Sequence, residues 1–283
     1  MTGKKAGLLL GSAVAAATYF YYENQKLSLA EYTLTFPHLP SAFDGFRILH
    51  LSDLHNSILP GTRDGGWELF AEIAPDMIAI TGDLVDKRRT RSERMGDALK
   101  TATAAVNTAP VFYSSGNHEH QGGLYRPLCR EMEKLGVMIT DGKKLPFRIG
   151  EQTIGVCGLA DRAAYRAKGG FTGWMQDLYR VLEEDPEEWK LLLTHSPEHF
   201  ALYCDAGADL ILTGHAHGGQ ARLPLIGGLY APAQGPLPLF DGGVYREGDR
   251  RMVVSRGVGN SSFPVRFFNP SEISLITLKT EAE

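Results

Sequence analysis

The chain has 283 residues, 43% of them hydrophobic and 22% charged, with a formal net charge of -4. That length buries a sizeable core, and the ordinary composition excludes a disordered or fibrous chain. Its acidic balance, with no long basic block, argues against a general polyanion binder, so no nucleic-acid partner is expected.

Lys4 and Lys5 precede an uncharged run, Ala6 to Tyr22, closed by Glu23. Such a run is at the short end of the roughly 17–25 residues that cross a bilayer as a helix. The lysines favour a cytoplasmic N-terminus, and Tyr19-Phe20-Tyr21-Tyr22 suits the far interface. A membrane anchor over 1–22 is therefore expected, with a cleaved signal peptide and a buried first helix as the alternatives. Either of the first two places the rest of the chain outside the cytoplasm. Residues 23–45 then read as a lead-in segment with a short strand in "EYTLTF", broken by Pro37 and Pro40.

From Phe46 to the end of the chain, one domain is expected. Apolar runs predict strands at 46–52, 76–81, 110–115, 153–159, 190–195, 209–214, 251–256 and 273–278. Amphipathic periodicity predicts helices over 66–74, 92–107, 124–135, 174–184 and 197–206. This alternation argues for α/β layering. Cys129, Cys157 and Cys204 form no C-x-x-C pair and lie near apolar residues. They offer neither a closed disulfide framework nor a thiolate zinc site, and read as small buried hydrophobes.

The polar clusters follow the strands. "SDLH" brings Asp53 and His55, "GDLVD" brings Asp83 and Asp86, and "GNHE" brings Asn117, His118 and Glu119; "THSP" then brings His195, and "GHAH" brings His215 and His217. Ligands bind at the carboxyl ends of strands in α/β sheets. Each motif alone is a common turn or cap, but five in this arrangement point to one crevice. Oxygen and imidazole donors without sulfur suit Mn, Fe or Zn. Seven such donors are too many for one ion and suit two, roughly 3.5–4 Å apart, sharing a carboxylate. His50 reads as a paired core histidine, and His38, His120 and His199 as surface residues. The run "DKRRTR" after Asp86 is either a solvated loop or a source of Lys87, Arg88, Arg89 and Arg91 as contacts to a substrate anion.

The order D-x-H, G-D-x-x-D, G-N-H-E, a later His and G-H-x-H resembles the calcineurin-like metallophosphoesterase superfamily over about residues 46–220. The stretches "HGGQARLPLIGGLYAP" and "VSRGVGNSSFPVRFFNPSEISLITL" are similar to a bacterial, membrane-linked phosphodiesterase branch related to UDP-2,3-diacylglucosamine pyrophosphohydrolases. The resemblance implies a four-layer α/β/β/α sandwich over 46–283 and a phosphoesterase using two divalent ions, with manganese favoured. One ion would take Asp53, His55, Asp83 and His217, and the other Asp83, Asn117, His195 and His215, with a bridging hydroxide as nucleophile. His118 would act on the leaving oxygen, and Asp86 would orient His118. The expected substrate is a phosphodiester or pyrophosphate, lipid-linked if the branch holds. The competing readings are a nuclease, a soluble nucleotide phosphodiesterase, or a binding module that has lost catalysis.

Overall fold

Alternation within the strands decides how the layers stack. In the computed structural model, which describes residues 11, 14–15, 18–62, 64–90, 95–183, 188–260, 263 and 265–281, two six-stranded sheets form the body of the molecule. The first sheet has the order β1 (Leu27–Phe36), β16 (Ser271–Thr280), β2 (Arg47–Leu51), β3 (Met77–Thr81), β4 (Val111–Ser114) and β5 (Met138–Ile139). The second runs β14 (Gly243–Glu247), β15 (Arg250–Val254), β9 (Leu210–Thr213), β8 (Lys190–Leu193), β7 (Gln152–Gly158) and β6 (Lys143–Ile149). Strands β2 to β5 are mutually parallel, as are β7, β8, β9 and β15.

Successive side chains of a strand point to opposite faces. Ile48, Met77 and Ala79 thus share one cluster with Val156, Leu191, Leu193 and Leu212, which closes sheet against sheet. Leu49, Leu51, Ile78 and Ile80 point the other way, into a cluster with helices α1 (Trp67–Ile73), α2 (Gly96–Val106) and α4 (Tyr125–Leu135). On the far side Leu192, Ile211 and Val254 meet α5 (Gly170–Glu183) and α6 (Phe200–Asp205). The layer order is helix, sheet, sheet, helix. With both faces covered, the central strands β3, β8 and β9 are nearly continuous apolar runs, as buried parallel strands are.

Three features differ from the sequence expectation. Strand β1 is ten residues long and pairs in parallel with the whole of β16, so the lead-in segment is built into the sheet. Strands β6 and β14 are additional edge strands. Pro146 interrupts the pattern of β6, which an edge position tolerates because one row of its backbone groups needs no partner. The helix expected over 197–206 opens as a 3₁₀ turn at Pro197–His199 before α6.

Residues 18–25 are helical, and this helix packs on the domain. The Tyr19 ring lies 5.6 Å from Phe267 and 5.8 Å from Phe268, and Glu23 accepts a hydrogen bond from Asn269 N at 3.0 Å. Among the described residues no helix is long and apolar enough to cross a membrane. Lys4, Lys5 and most of the expected anchor lie outside the described residues. Two short ladders follow β9: β10 (Arg222–Leu223) with β11 (Gly227–Gly228), and β12 (Tyr230–Ala231) with β13 (Gly235–Pro236).

Candidate metal centre

The carboxyl ends of β2, β3, β4, β8 and β9 meet where the two sheets face each other. His195 Nδ1 lies 2.7 Å from the Thr81 carbonyl, joining the end of β8 to the end of β3. The loops leave the strands abruptly. Asp53, His55, Asp83, His215 and His217 all have positive φ, between 47° and 65°, five of twelve such non-glycine residues among the described ones. Each costs roughly 1–2 kcal/mol, and such strain persists only where the surroundings over-determine it. Here backbone bonds fix it: Asp53 N donates to Gly82 O at 3.1 Å, His55 N to Asp83 O at 2.9 Å and Gly259 N to Asp53 O at 2.7 Å. Glycine is required at Gly116, where a Cβ would lie 2.2 Å from Asp83 Oδ1.

The side chains so placed converge. His217 Nε2 is 3.3 Å from Asp53 Oδ1 and 3.1 Å from His55 Nε2. His195 Nε2 is 3.3 Å from Asp83 Oδ2 and 3.2 Å from His215 Nδ1. Asp83 Oδ2 also lies 3.7 Å from His55 Nε2, between the two groups. Asp53, His55 and His217 thus offer three donor atoms within 4.8 Å of one another, as do Asp83, His195 and His215, and also His55, Asp86 and His118. Two buried oxygens of this region, Asp53 Oδ1 and Asn117 Oδ1, have no hydrogen-bond partner. Buried polar atoms are ordinarily satisfied, so lone pairs aimed at one small space fit a cation.

The electrostatics agree. Burial would raise the Asp83 carboxyl, but His195 and His55 beside it hold it well below the usual range. Asp53 is lowered in the same way, against burial, by His217 and His195. Burial pushes His55 down to about 3 and His217 to about 4, so both rings are neutral, the form that ligates metals. His195 moves the other way: Asp83 and Asp53 outweigh its burial and raise it. Glu119 underpins the loops, accepting from Asp83 N at 3.1 Å and Gly116 N at 3.0 Å. Burial and the Asp83 charge push it up to about 8.

His118 is the second residue of the short helix α3 (Asn117–Gln121), and its backbone N donates to Asp83 Oδ1 at 2.8 Å. Lys87 N donates to its Nδ1 at 3.2 Å. Asp86, expected to orient His118, lies 3.9 Å from that nitrogen; its carboxylate is engaged by Arg88 at 2.9 Å and Arg89 at 3.1 Å. Of the four basic residues proposed from the sequence, Lys87 lines the cleft, Arg88 and Arg89 are turned to Asp86, and Arg91 lies outside the described residues. The cleft has a volume of about 620 Å³, with Asp83, Asn117, His118, His215 and His217 in its lining. Two cations outside the expected set, Arg162 and Arg166, line it as well. They lie on the loop after β7, and the same strand-end rule that found the other clusters points to that loop. His50 is a paired core residue, 2.8 Å from Thr81 Oγ1. His120 and His199 are half-buried rather than on the surface, against Tyr125 at 4.4 Å and Trp174 at 4.8 Å between ring centroids.

Comparison with known proteins accords with this geometry. Residues 46–219 match the family described as calcineurin-like phosphoesterase. The metallophosphoesterase YkuE of Bacillus subtilis is 28% identical, over 99% of this chain and 96% of its own length. The phosphodiesterase YaeI of Escherichia coli is 26% identical, over 82% of each chain. The solved structure of TT1561 of Thermus thermophilus is similar in fold, with a TM-score of 0.50 at 14% identity, covering 75% of this chain and 90% of that one. The chain belongs to the calcineurin-like phosphoesterase family and is a hydrolase of phosphoric esters.

Proposed function

We propose that this protein is a dinuclear-metal phosphodiesterase whose substrate is an envelope phosphate, lipid-linked in this reading. The observation that carries the reading is the pair of donor groups, Asp53/His55/His217 and Asp83/His195/His215, with Asp83 between them and unpartnered oxygens on Asp53 and Asn117. In this assignment Asp53, His55, Asp83 and His217 hold one ion, and Asp83, Asn117, His195 and His215 the other. Asp83 serves both, because a carboxylate has two oxygens and its charge offsets both cations. Two divalent ions bound there, manganese in this reading, would supply a water acidified to near neutrality and neutralise phosphate charge.

The chain's own residues do the rest. His118 Nδ1 accepts from Lys87 N, so the neutral ring carries its proton on Nε2, from which it would donate a hydrogen bond to the leaving oxygen and stabilise the charge developing there. Asp86 would act at longer range, keeping Arg88 and Arg89 folded back and the His118 side of the cleft ordered. Lys87, at the cleft wall, would meet a phosphate oxygen. The similarity to YaeI, a phosphodiesterase by name, supports a diester over a monoester. A catalytically dead binding module would be expected to have lost ligand positions, and every expected one is occupied here. The lipid-linked part of the proposal is supported by the uncharged run Ala6 to Tyr22, which as an anchor would hold the cleft within reach of a membrane.

The test is hydrolysis of an activated aryl phosphodiester by the full chain with added Mn²⁺. Turnover that a chelator stops and Mn²⁺ restores is the expected result. A folded, metal-loaded sample inert toward every mono- and diester tried would sink the proposal.

A further inference from the structure

The described non-glycine residues with positive φ concentrate in two places. One is the metal centre; the other is the exposed apolar segment of residues 223–239 together with Phe268, holding Leu225 (φ 69°), Leu237 (51°) and Phe268 (48°), while Ala233 (60°) lines the cleft. In the β10–β11 hairpin, Ile226 N donates to Leu223 O at 3.2 Å, closing a turn with Pro224 and Leu225 at its centre. Proline followed by a positive φ is the signature of a type II turn, whose third position ordinarily takes glycine or asparagine. Here it carries a leucine that is fully exposed. Leu237 and Leu239 nearby are 64% and 73% exposed, and Ile226 and Phe268 are more than half exposed. Leu223, Leu225, Ile226, Leu239 and Phe268 line one shallow surface. Leu225 and Leu237 combine left-handed backbone with solvent exposure, while Phe268 packs on Tyr19 and Phe267 with half of its surface in water.

We propose that this face, formed by the hairpins of residues 222–236 with Leu239 and Phe268, dips into the apolar surface of a lipid bilayer. The occupant is argued from what adjoins it. Tyr19 stacks edge-on against Phe268 and its hydroxyl accepts from Phe268 N at 3.1 Å, so the uncharged run upstream of Tyr19 joins the domain at this face. Exposed Tyr21, Tyr22 and Tyr230 add residues that favour the headgroup zone. A convex turn with a leucine at its apex suits a fluid apolar phase, where no matching pocket is needed. Pro232 and Ala233, in the turn of the second hairpin, belong to the cleft lining. Contact through this face would therefore set the cleft mouth at the headgroup level. This inference rests on exposed side chains and backbone geometry, and it stands or falls apart from the catalytic assignment.

The test uses the full chain with a nitroxide at Leu225→Cys or Leu239→Cys, and at Glu151→Cys in the remote β6–β7 turn as control. The three native cysteines are buried, which directs labelling to the new thiol. With vesicles of phosphatidylcholine and phosphatidylglycerol, labels at 225 and 239 should gain collisions with oxygen and lose them with a water-soluble nickel chelate, at least about twofold in ratio; 151 should not change. Labels at 225 and 239 that stay water-accessible beside vesicles overturn the proposal. So does equal protection without vesicles, which would mean that residues 1–17 or a second copy of the chain covers the face. A second variant separates the role of the leucine from folding. Leu225→Gly fits the positive φ better and should keep or raise the melting temperature while reducing the vesicle-dependent protection at 239. A lowered melting temperature with unchanged protection at 239 would make Leu225 structural and overturn the proposal.

Discussion

Asp83 and His118 sit within 4 Å of each other, and the account gives them different work. Asp83 would supply charge to both ions, whereas His118 would touch only the substrate. Asp83→Asn keeps the shape but removes the shared charge, and both cations feel the loss. Its metal content should fall well below that of the wild type. His118→Gln should retain the full metal content and lose about 10²–10³-fold in kcat, the range for a lost donor to developing charge. Elemental analysis and single-substrate kinetics on the two purified variants check this. Equal metal loss in both would remove His118 from its assigned role. The residue scale was also the most legible in the sequence. A ligand must leave its strand at a definite point, so each cluster stood directly after an apolar run. Asp86 was less legible, because its engagement by Arg88 and Arg89 depends on how the loop folds back.

Elements hold these residues in place. The turn that carries His215 and His217 follows β9, and Asn269 clamps it by donating to His217 O at 2.7 Å and Gln220 O at 3.1 Å. Gly218 leaves room for that clamp, since a Cβ there would meet Asn269 Oδ1 at 2.2 Å. Asn269→Ala leaves His217 O with Gln220 N alone, at 3.0 Å, and takes the donor from the part-buried Gln220 O, at a cost of about 1–3 kcal/mol. The chelated variant should therefore unfold at a clearly lower urea midpoint, and it should bind Mn²⁺ more weakly. An unchanged midpoint and unchanged metal affinity would show that the turn holds itself. No sequence pattern announces this clamp, because Asn269 is 52 residues from His217 and closes on it only once β16 enters the first sheet. The central strands were readable from their near-continuous apolar runs. Strands β6 and β14 were not, since a half-exposed edge strand carries Lys, Arg and Glu between its apolar positions and so resembles a loop.

On the scale of the whole molecule, the two sheets bring together candidate donors that lie far apart in sequence. Asp53, His55, Asp83 and Asn117 come from the first sheet and His195, His215 and His217 from the second, so the groups Asp53/His55/His217 and Asp83/His195/His215 each draw on both sheets, whereas His55/Asp86/His118 lies within the first. The site is therefore a product of sheet-on-sheet packing, and a bound metal pair would tie the two halves together. The layer order could be anticipated from the alternation of strands and helices, whereas the docking of the 18–25 helix through Glu23 and Asn269, 246 residues apart, could not. The central claim is that this packing creates a centre for two ions that share Asp83. The most direct measurement is the metal content per folded chain after loading with Mn²⁺ and removal of excess, by elemental analysis of the wild type. The account predicts close to two ions per chain, with turnover of an aryl phosphodiester rising as the second is taken up. Saturation at a single ion with full turnover would contradict it.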